Sequence, residues 1–247
     1  MQMILIFDVD GTLTGQRRLI HEDFARFLRA LVQSEIVYLV SGSTHQMLQK
    51  QIPDWLLKSV AGLFTCSGNS FYSNGERIYQ NSHEFQDELV SFSQNLINQS
   101  AYGERTGAHI EFRSGAMNVS VVGRNASPLQ RKEYEEYDLE CGERQFMIEA
   151  IEKAFPEYEA NHGGQISIDV SPKGWNKSIV FNEISKRHTK TPLFFFGDNI
   201  KQGGNDLPLA RAVLNGGIQN KVFPVRDHFE TWRILQQEFT PELRLVG

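Results

Sequence analysis

Asp8 and Asp10 stand two positions apart directly after the apolar run Met3–Phe7, and Gly11-Thr12 follow them. Carboxylates at that spacing share one face of an ideal strand. With no basic residue beside them, they require a divalent cation or a shared proton. A second apolar run, Leu193–Phe196, ends in Gly197-Asp198, with Asp206 beyond it. The carboxyl ends of strands in an open α/β sheet line one crevice, so these acids are expected to converge. Their mutual repulsion is relieved by Mg²⁺, a hard cation that favours a few carboxylates together with water and phosphate oxygens. An aspartate neutralised in this way can attack phosphorus and form an aspartyl phosphate. Asp8 is then the candidate nucleophile and Asp10 the acid that protonates the leaving oxygen. Ser41, Ser43, their backbone N–H groups and Lys177 are candidate partners for the phosphoryl oxygens.

The elements that must position these residues follow from hydrophobic spacing. The opening run reads as a buried parallel strand, followed by an amphipathic helix over about 21–33 with Phe24, Phe27, Leu28 and Leu31 on one face. A strand at Ile36–Val40 delivers Ser41-Gly42-Ser43 to a turn before a helix near Gln46–Ile52. Leu63-Phe64 suggests another strand, and Asn74-Gly75 between Phe71-Tyr72 and Ile78-Tyr79 signals a hairpin. The character then changes. A polar helix over about 83–99 leads to alternating strands at His109–Arg113 and Met117–Val121. Charged helices over about 128–155 and an alternating strand at Gln165–Val170 follow. One-sided strands beside helices indicate an antiparallel α+β unit. Parallel character returns after Lys173, with helices near Leu207–Leu214 and His228–Phe239. The expected fold class is therefore α/β: a Rossmann-like parallel-sheet core from residues 1–82 and 173–247, with an α+β cap domain inserted at 83–172.

The chain has 247 residues, 40% of them hydrophobic, which is enough for real cores. A formal net charge of -5 provides no basic field for nucleic acid or an anionic membrane. No apolar stretch is long enough to span a bilayer, and Asp8 interrupts the first one too early for a signal peptide. Two distant cysteines, Cys66 and Cys141, suit a reducing, cytoplasmic compartment.

Four segments together carry a family resemblance: Asp8-Val9-Asp10-Gly11-Thr12-Leu13-Thr14, Ser41-Gly42-Ser43, Lys177 and Phe195-Phe196-Gly197-Asp198. They resemble the motifs of the haloacid dehalogenase superfamily. More narrowly, the chain is similar to the eukaryotic-type α-phosphomannomutases, whose cap has the type IIB form. That likeness rests on Arg17, Ile110–Arg113, Met117–Ser120, Gly123-Arg124, Gly163–Val170, Gly174–Lys177 and Gly203–Asp206. The resemblance implies Mg²⁺ held by the carboxylates of Asp8 and Asp198 and the backbone carbonyl of Asp10, with Asn205 and Asp206 as support. It implies that Arg17, Arg113, Arg124 and Arg131 grip the phosphate at the far end of a sugar, as arginine forks do. Ser167 and Asp169 match positions that bind sugar hydroxyls.

The implied activity is a phosphohexomutase interconverting mannose 6-phosphate and mannose 1-phosphate, with glucose phosphates as further candidates. A hexose 1,6-bisphosphate would load Asp8 and serve as activator. The alternatives are a Mg²⁺-dependent sugar-phosphate phosphatase of the same superfamily and a non-catalytic sugar-phosphate sensor. A homodimer through the cap and closure about hinges near residues 82 and 173 are further implications. The sequence also departs from the family pattern. Ser41 stands where the mutases usually have glycine, Thr65-Cys66-Ser67-Gly68 replaces Pro-Glu-Asn-Gly, and Asn176 replaces an aspartate. Leu209–Ala212 lacks the acidic residue with which the family builds an additional cation loop.

Overall fold

A computed structural model describes residues 2–217 and 219–239; residues 240–247, the end of the expected core segment, lie outside the described residues. The chain forms two compact units. The first joins the described residues up to Gln80 with Asn176–Gln202 and the described residues from Asp206 on; the second is Asn81–Trp175 with Gly203–Asn205.

The first unit opens with strand β1 (Ile4–Asp8), helix α1 (Glu22–Leu31) and strand β2 (Ile36–Val40). Two single-turn helices follow, α2 (His45–Leu48) and α3 (Asp54–Leu57), where one helix near Gln46–Ile52 was expected. Pro53 separates them and stands at the N-cap of α3, since proline cannot continue a helix but can precede one. Strands β3 (Gly62–Thr65), β4 (Ser70–Ser73) and β5 (Glu76–Gln80) complete this segment. The turn between β4 and β5 has Asn74 at φ 52° and Gly75 at φ 81°, both left-handed as the expected tight hairpin requires.

The second unit contains α4 (Asp87–Gln99), β6 (Ile110–Arg113), β7 (Ala116–Val119), α5 (Pro128–Cys141), α6 (Glu143–Ala154), β8 (Tyr158–Gly163) and β9 (Ser167–Pro172). The chain then returns to the first unit through α7 (Ser178–Arg187), β10 (Leu193–Gly197), α8 (Leu207–Asn215), β11 (Lys221–Pro224) and α9 (His228–Glu238). Sequence patterning missed α3, β8, β11 and α7.

The first unit's sheet has the order β11-β10-β1-β2-β3-β4-β5. Its first five members run parallel; β4 is antiparallel to β3, and β5 antiparallel to β4. Strand alternation divides β1 between two cores. Leu5 and Phe7 pack with Phe24, Leu28 and Leu31 of α1 and Leu235 of α9. Ile4 and Ile6 pack with Val180 and Ile184 of α7 and Leu209 and Val213 of α8. Burial on both faces explains the continuous apolar composition of β1 and β10. Each such large side chain contributes roughly 1.5–3 kcal/mol on burial.

The second unit is a four-stranded antiparallel sheet in the order β6-β7-β9-β8, with helices against one face only. Met117, Val119, Ile168 and Val170 point towards Leu89 of α4, Tyr134 of α5 and Ile148 and Ile151 of α6. The intervening residues of the same strands form a polar face. A buried ion pair joins α5 to α6: Arg144 Nε lies 2.8 Å from Asp138 Oδ2, and the Arg144 backbone N–H donates to Asp138 Oδ1 at 2.7 Å. Arg144 Nη1 also donates to the Gly164 carbonyl at 2.8 Å, tying the helices to the β8–β9 turn. Removing one member of such a pair leaves an uncompensated buried charge. Asp138→Ala should therefore lower stability by about 3 kcal/mol, read as a shift in the urea midpoint; an unshifted midpoint would show that the pair is not needed.

Candidate active site

Strands β1 and β10 are hydrogen-bonded parallel neighbours, with Phe7 opposite Phe196. Asp8, the last residue of β1, and Asp198, the first after β10, consequently emerge on the same sheet edge. Asp8 has the parity of Ile4 and Ile6 and so faces the side covered by α7 and α8. The residues immediately before those helices, Lys177 and Asp206, complete the group. Lys177 Nζ donates to Asp8 Oδ1 and to Asp206 Oδ1, each at 2.6 Å. Asp206 Oδ2 accepts the Asn199 N–H at 3.0 Å, which fixes the loop leaving β10. Ligand oxygens from Asp8, Asp198 and Asp206 lie within 4.8 Å of one another.

Burial raises the Asp8 carboxyl well above the usual range; Lys177 opposes this, while Asp206 and Asp198 add to it. Asp198 is pushed up to about 6, first by burial and then by Asp206, with Lys177 opposing. Burial acts to lower the Lys177 ammonium, but Asp206 and Asp8 outweigh it and shift the group upward. The lysine therefore stays charged, and the acids around it exceed what one ammonium can neutralise. An all-oxygen, acidic donor set with surplus negative charge fits a hard divalent cation such as Mg²⁺. Asp8, Asp198 and Asp206 supply the oxygens of that set.

Gly11 makes the close approach possible. Its φ is +92°, and a β-carbon there would lie 2.3 Å from Asp198 Oδ2, so both backbone conformation and space require glycine. The same turn directs Asp10 elsewhere. Asp10 Oδ1 accepts the Arg17 backbone N–H at 2.7 Å, and Ser43 Oγ donates to Asp10 Oδ2 at 3.3 Å. The Asp10 carboxylate is thus held beside the acidic trio, while its backbone carbonyl accepts from Gln16 Nε2 at 3.4 Å.

Ser41 and Ser43 follow β2 on the same sheet edge, but their N–H groups correct the expectation from sequence. The Ser41 N–H donates to the Phe64 carbonyl at 2.9 Å, and the Ser43 N–H donates to Ser41 Oγ at 3.0 Å. Sheet continuation and a local turn engage both donors, which leaves the hydroxyls as the groups to consider for a ligand.

The second unit carries the other candidates. Glu111, Asn118, Asp169 and Asn161 are in register across β6, β7, β9 and β8, forming one polar row. Arg113 Nη2 and Nε donate to Glu111 Oε2 at 2.8 and 3.2 Å, and Arg113 Nη1 lies 3.6 Å from Asp169 Oδ1. Arg124 Nε lies 3.1 Å from Glu111 Oε2, and its Nη1 donates to Asn118 Oδ1 at 2.9 Å. Asn118 Nδ2 donates to Asp169 Oδ1 at 2.5 Å and to Ser167 Oγ at 3.0 Å. Arg131 serves the backbone, donating to the carbonyls of Ala126 and Arg124 at 3.0 and 3.3 Å, and so supports the segment carrying Arg124. Arg17 lies in the first unit, exposed, at φ 55°. Asn205 falls in the short stretch that clusters with the second unit. Sequence reasoning did not single out Glu111 and Asn118 as site residues. Their signal was strand parity: Glu111 shares a face with Arg113, and Asn118 alternates with Met117 and Val119.

The parallel sheet with clustered acids at one edge, together with an antiparallel second unit, defines a two-unit α/β protein. Solved structures agree on the fold. A trehalose-6-phosphate phosphatase related protein matches with a TM-score of 0.56 at 18% identity, covering 98% of this chain and 99% of that one. The Thermoplasma acidophilum 0175 structure matches with a TM-score of 0.58 at 18% identity, covering 96% and 98%. The model of the family "Eukaryotic phosphomannomutase" matches residues 24–215. Phosphomannomutase of Saccharomyces cerevisiae is 34% identical over 213 residues, 83% of this chain and 84% of the yeast protein. Phosphomannomutase 1 of Dictyostelium discoideum is 32% identical over 244 residues, 96% of each chain. The chain belongs to the eukaryotic phosphomannomutase family.

Protons held by Asp198 and Asp8 compete with a cation for the same oxygens. Without metal, the folded state binds more protons than the unfolded chain from the unperturbed carboxylate range up to about pH 6. Metal-free stability therefore falls as pH rises through that window, and cation binding becomes correspondingly more favourable. The rise in melting temperature on adding Mg²⁺ should be small at pH 5 and large at pH 7.5, with proton release in calorimetry. Equal shifts at both pH values would show that these carboxyls are not the ligands.

Proposed function

We propose that this protein is a Mg²⁺-dependent phosphohexomutase that interconverts mannose 6-phosphate and mannose 1-phosphate, glucose phosphates being further candidate substrates. The observation that carries this reading is the nucleophile-type geometry at Asp8, in a chain that belongs to the eukaryotic phosphomannomutase family. Bound at Asp8, Asp198 and the Asp10 carbonyl, Mg²⁺ would supply charge neutralisation for carboxylate and phosphoryl oxygens.

In the first half-reaction an Asp8 oxygen attacks a phosphorus of a hexose 1,6-bisphosphate, which acts as activator. The phosphorus–oxygen bond to the sugar breaks, and Asp10 protonates the departing oxygen. In the second half-reaction Asp10 takes a proton from a hydroxyl of the bound hexose monophosphate, whose oxygen attacks the aspartyl phosphate and frees Asp8. Asp10 suits both tasks because the Arg17 N–H and Ser43 Oγ fix its carboxylate beside, but outside, the Lys177 pairing. Lys177 keeps Asp8 oriented and lends positive charge to the transferring group. Arg113 and Arg124, with Ser167, Asp169 and Asn118, are assigned to the phosphate and hydroxyls that do not react. Arg131 supports Arg124, and Arg17 is assigned to phosphate from the first unit.

Asp8→Asn should lose at least about 10³-fold in turnover, because an amide cannot serve as the nucleophile. A coupled assay with mannose 1-phosphate, glucose 1,6-bisphosphate and Mg²⁺, reporting isomerised sugar and inorganic phosphate in parallel, tests this reading. Phosphate release without isomer would make the protein a phosphatase, and retained activity in Asp8→Asn would remove Asp8 from the chemistry.

The same reading includes a homodimer through the second unit, supported by exposed Leu129 and Leu139 on α5 and Phe146 on α6. Light scattering should give twice the chain mass for the wild type and a monomer for Leu139→Asp; a monomeric wild type would refute the dimer. The unlinked thiols of Cys66 and Cys141 support a reducing, cytoplasmic setting. Among the described residues no helix is long and apolar enough to cross a membrane.

A further inference from the structure

The polar face of the second unit carries a chain of linked charged and amide groups. Glu111 pairs with Arg113 and Arg124, Arg113 reaches Asp169, Asp169 accepts from Asn118, and Asn118 accepts from Arg124. Two guanidinium groups and two carboxylates take part in it. Within it Glu111 has a particular place, since its single oxygen Oε2 serves both arginines at 2.8 and 3.1 Å. The exposures are unequal. The side chains of Arg113 and Arg124 are 8% and 14% exposed, whereas that of Glu111 is 39% exposed. An arriving anion can therefore displace the carboxylate into water at small cost while both forks stay where they are.

We propose that Glu111 is a positioning residue that aligns Arg113 and Arg124 for phosphate and, as their counter-charge, keeps their grip on it weak. This inference rests on the mutase reading for its purpose. A hexose bisphosphate that must present either end for reaction has to leave the anchor between half-reactions. Without the Glu111 charge, two guanidiniums opposed by Asp169 at 3.6 Å from Arg113 would hold a phosphate through several charge-assisted bonds and slow that exchange. Binding substrate and intermediate more tightly does not by itself raise turnover. The resident carboxylate competes with phosphate for the same donors and sets the strength of the anchor.

The sign of the effect separates this role from structural support. Glu111→Gln keeps the side-chain shape and one acceptor oxygen but removes the charge. A merely structural glutamate would lose anion affinity on this change; a counter-charge gains it. The full-length protein is titrated calorimetrically with inorganic phosphate in EDTA, where the acidic edge of the first unit repels anions. Glu111→Gln should bind phosphate about tenfold more tightly than wild type, about 1.4 kcal/mol. Glu111→Asp, which keeps the charge, should remain near wild type, and Arg113→Ala should abolish the signal. With mannose 1-phosphate, glucose 1,6-bisphosphate and Mg²⁺, KM and kcat should both fall in Glu111→Gln. Unchanged or weaker phosphate binding in Glu111→Gln would overturn the proposal, as would no phosphate binding in wild type or variant. Tighter binding with undiminished kcat would overturn the release role. Isomer formation by the wild type judges the mutase reading separately: if none forms while Glu111→Gln still binds phosphate tenfold more tightly, that reading fails and the counter-charge stands.

Discussion

The Lys177 ammonium is removed from water between Asp8 and Asp206, and the geometry of the acidic sheet edge follows from that confinement. Desolvating three charged groups costs several kcal/mol per ion, and only short, well-aligned contacts offset it. The arrangement is correspondingly over-determined. Lys177 is fixed by the start of α7, Asp206 by the start of α8 and by the Asn199 N–H, and Asp8 by β1 with strands on either side. Each anchor belongs to a different segment of the chain, so the two sequence-distant parts of the first unit must fold together before the lysine has its partners. A carboxylate held in this way needs little reorganisation before it can react.

The same confinement explains which parts of the centre were legible in the sequence. Asp8 and Asp198 announced themselves because each ends a continuous apolar run, and buried parallel strands have that composition. Asp206 was visible only as a further acid near Asp198. Its service as the partner of Lys177 depends on the packing of α7 beside α8, which no local spacing records. The N–H groups of Ser41 and Ser43 were expected to face a ligand, but the pairing of β2 with β3 and the Ser41 hydroxyl engage them first. Tertiary competition for donors decided the matter, and residue type alone does not reveal it.

The elements that escaped the sequence reading share a physical reason. In β11, at the sheet edge, Lys221 and Pro224 are exposed and no apolar run exists to mark a strand. In β8, Tyr158 and Ala160 are buried while Glu159, Asn161 and His162 dilute the alternation. Helix α3 is a single turn started by Pro53, too short for periodicity to register. By contrast, the polar face of the second unit was partly legible, because Arg113, Ser167 and Asp169 sit on strands with clear alternation. Asn118 and Glu111 obey the same parity. What they do there emerged only from the cross-strand register that places Glu111, Asn118 and Asp169 in one row.

Charge accounting distinguishes the two units and indicates what each can accept. Around Asp8 the carboxylates outnumber the single lysine, so an anionic substrate is repelled until a cation joins the edge. On the second unit Arg113 and Arg124 already face Glu111 and Asp169, so an anion arriving there meets guanidinium groups that have carboxylate partners. On the proposed reading phosphate would join the first only in company with a metal, and the second only by displacing a carboxylate. Both conditions would make binding reversible. For a reaction whose intermediate carries a phosphate at each end, reversibility at the non-reacting end matters as much as affinity, because a bisphosphate that cannot let go of one end cannot offer the other.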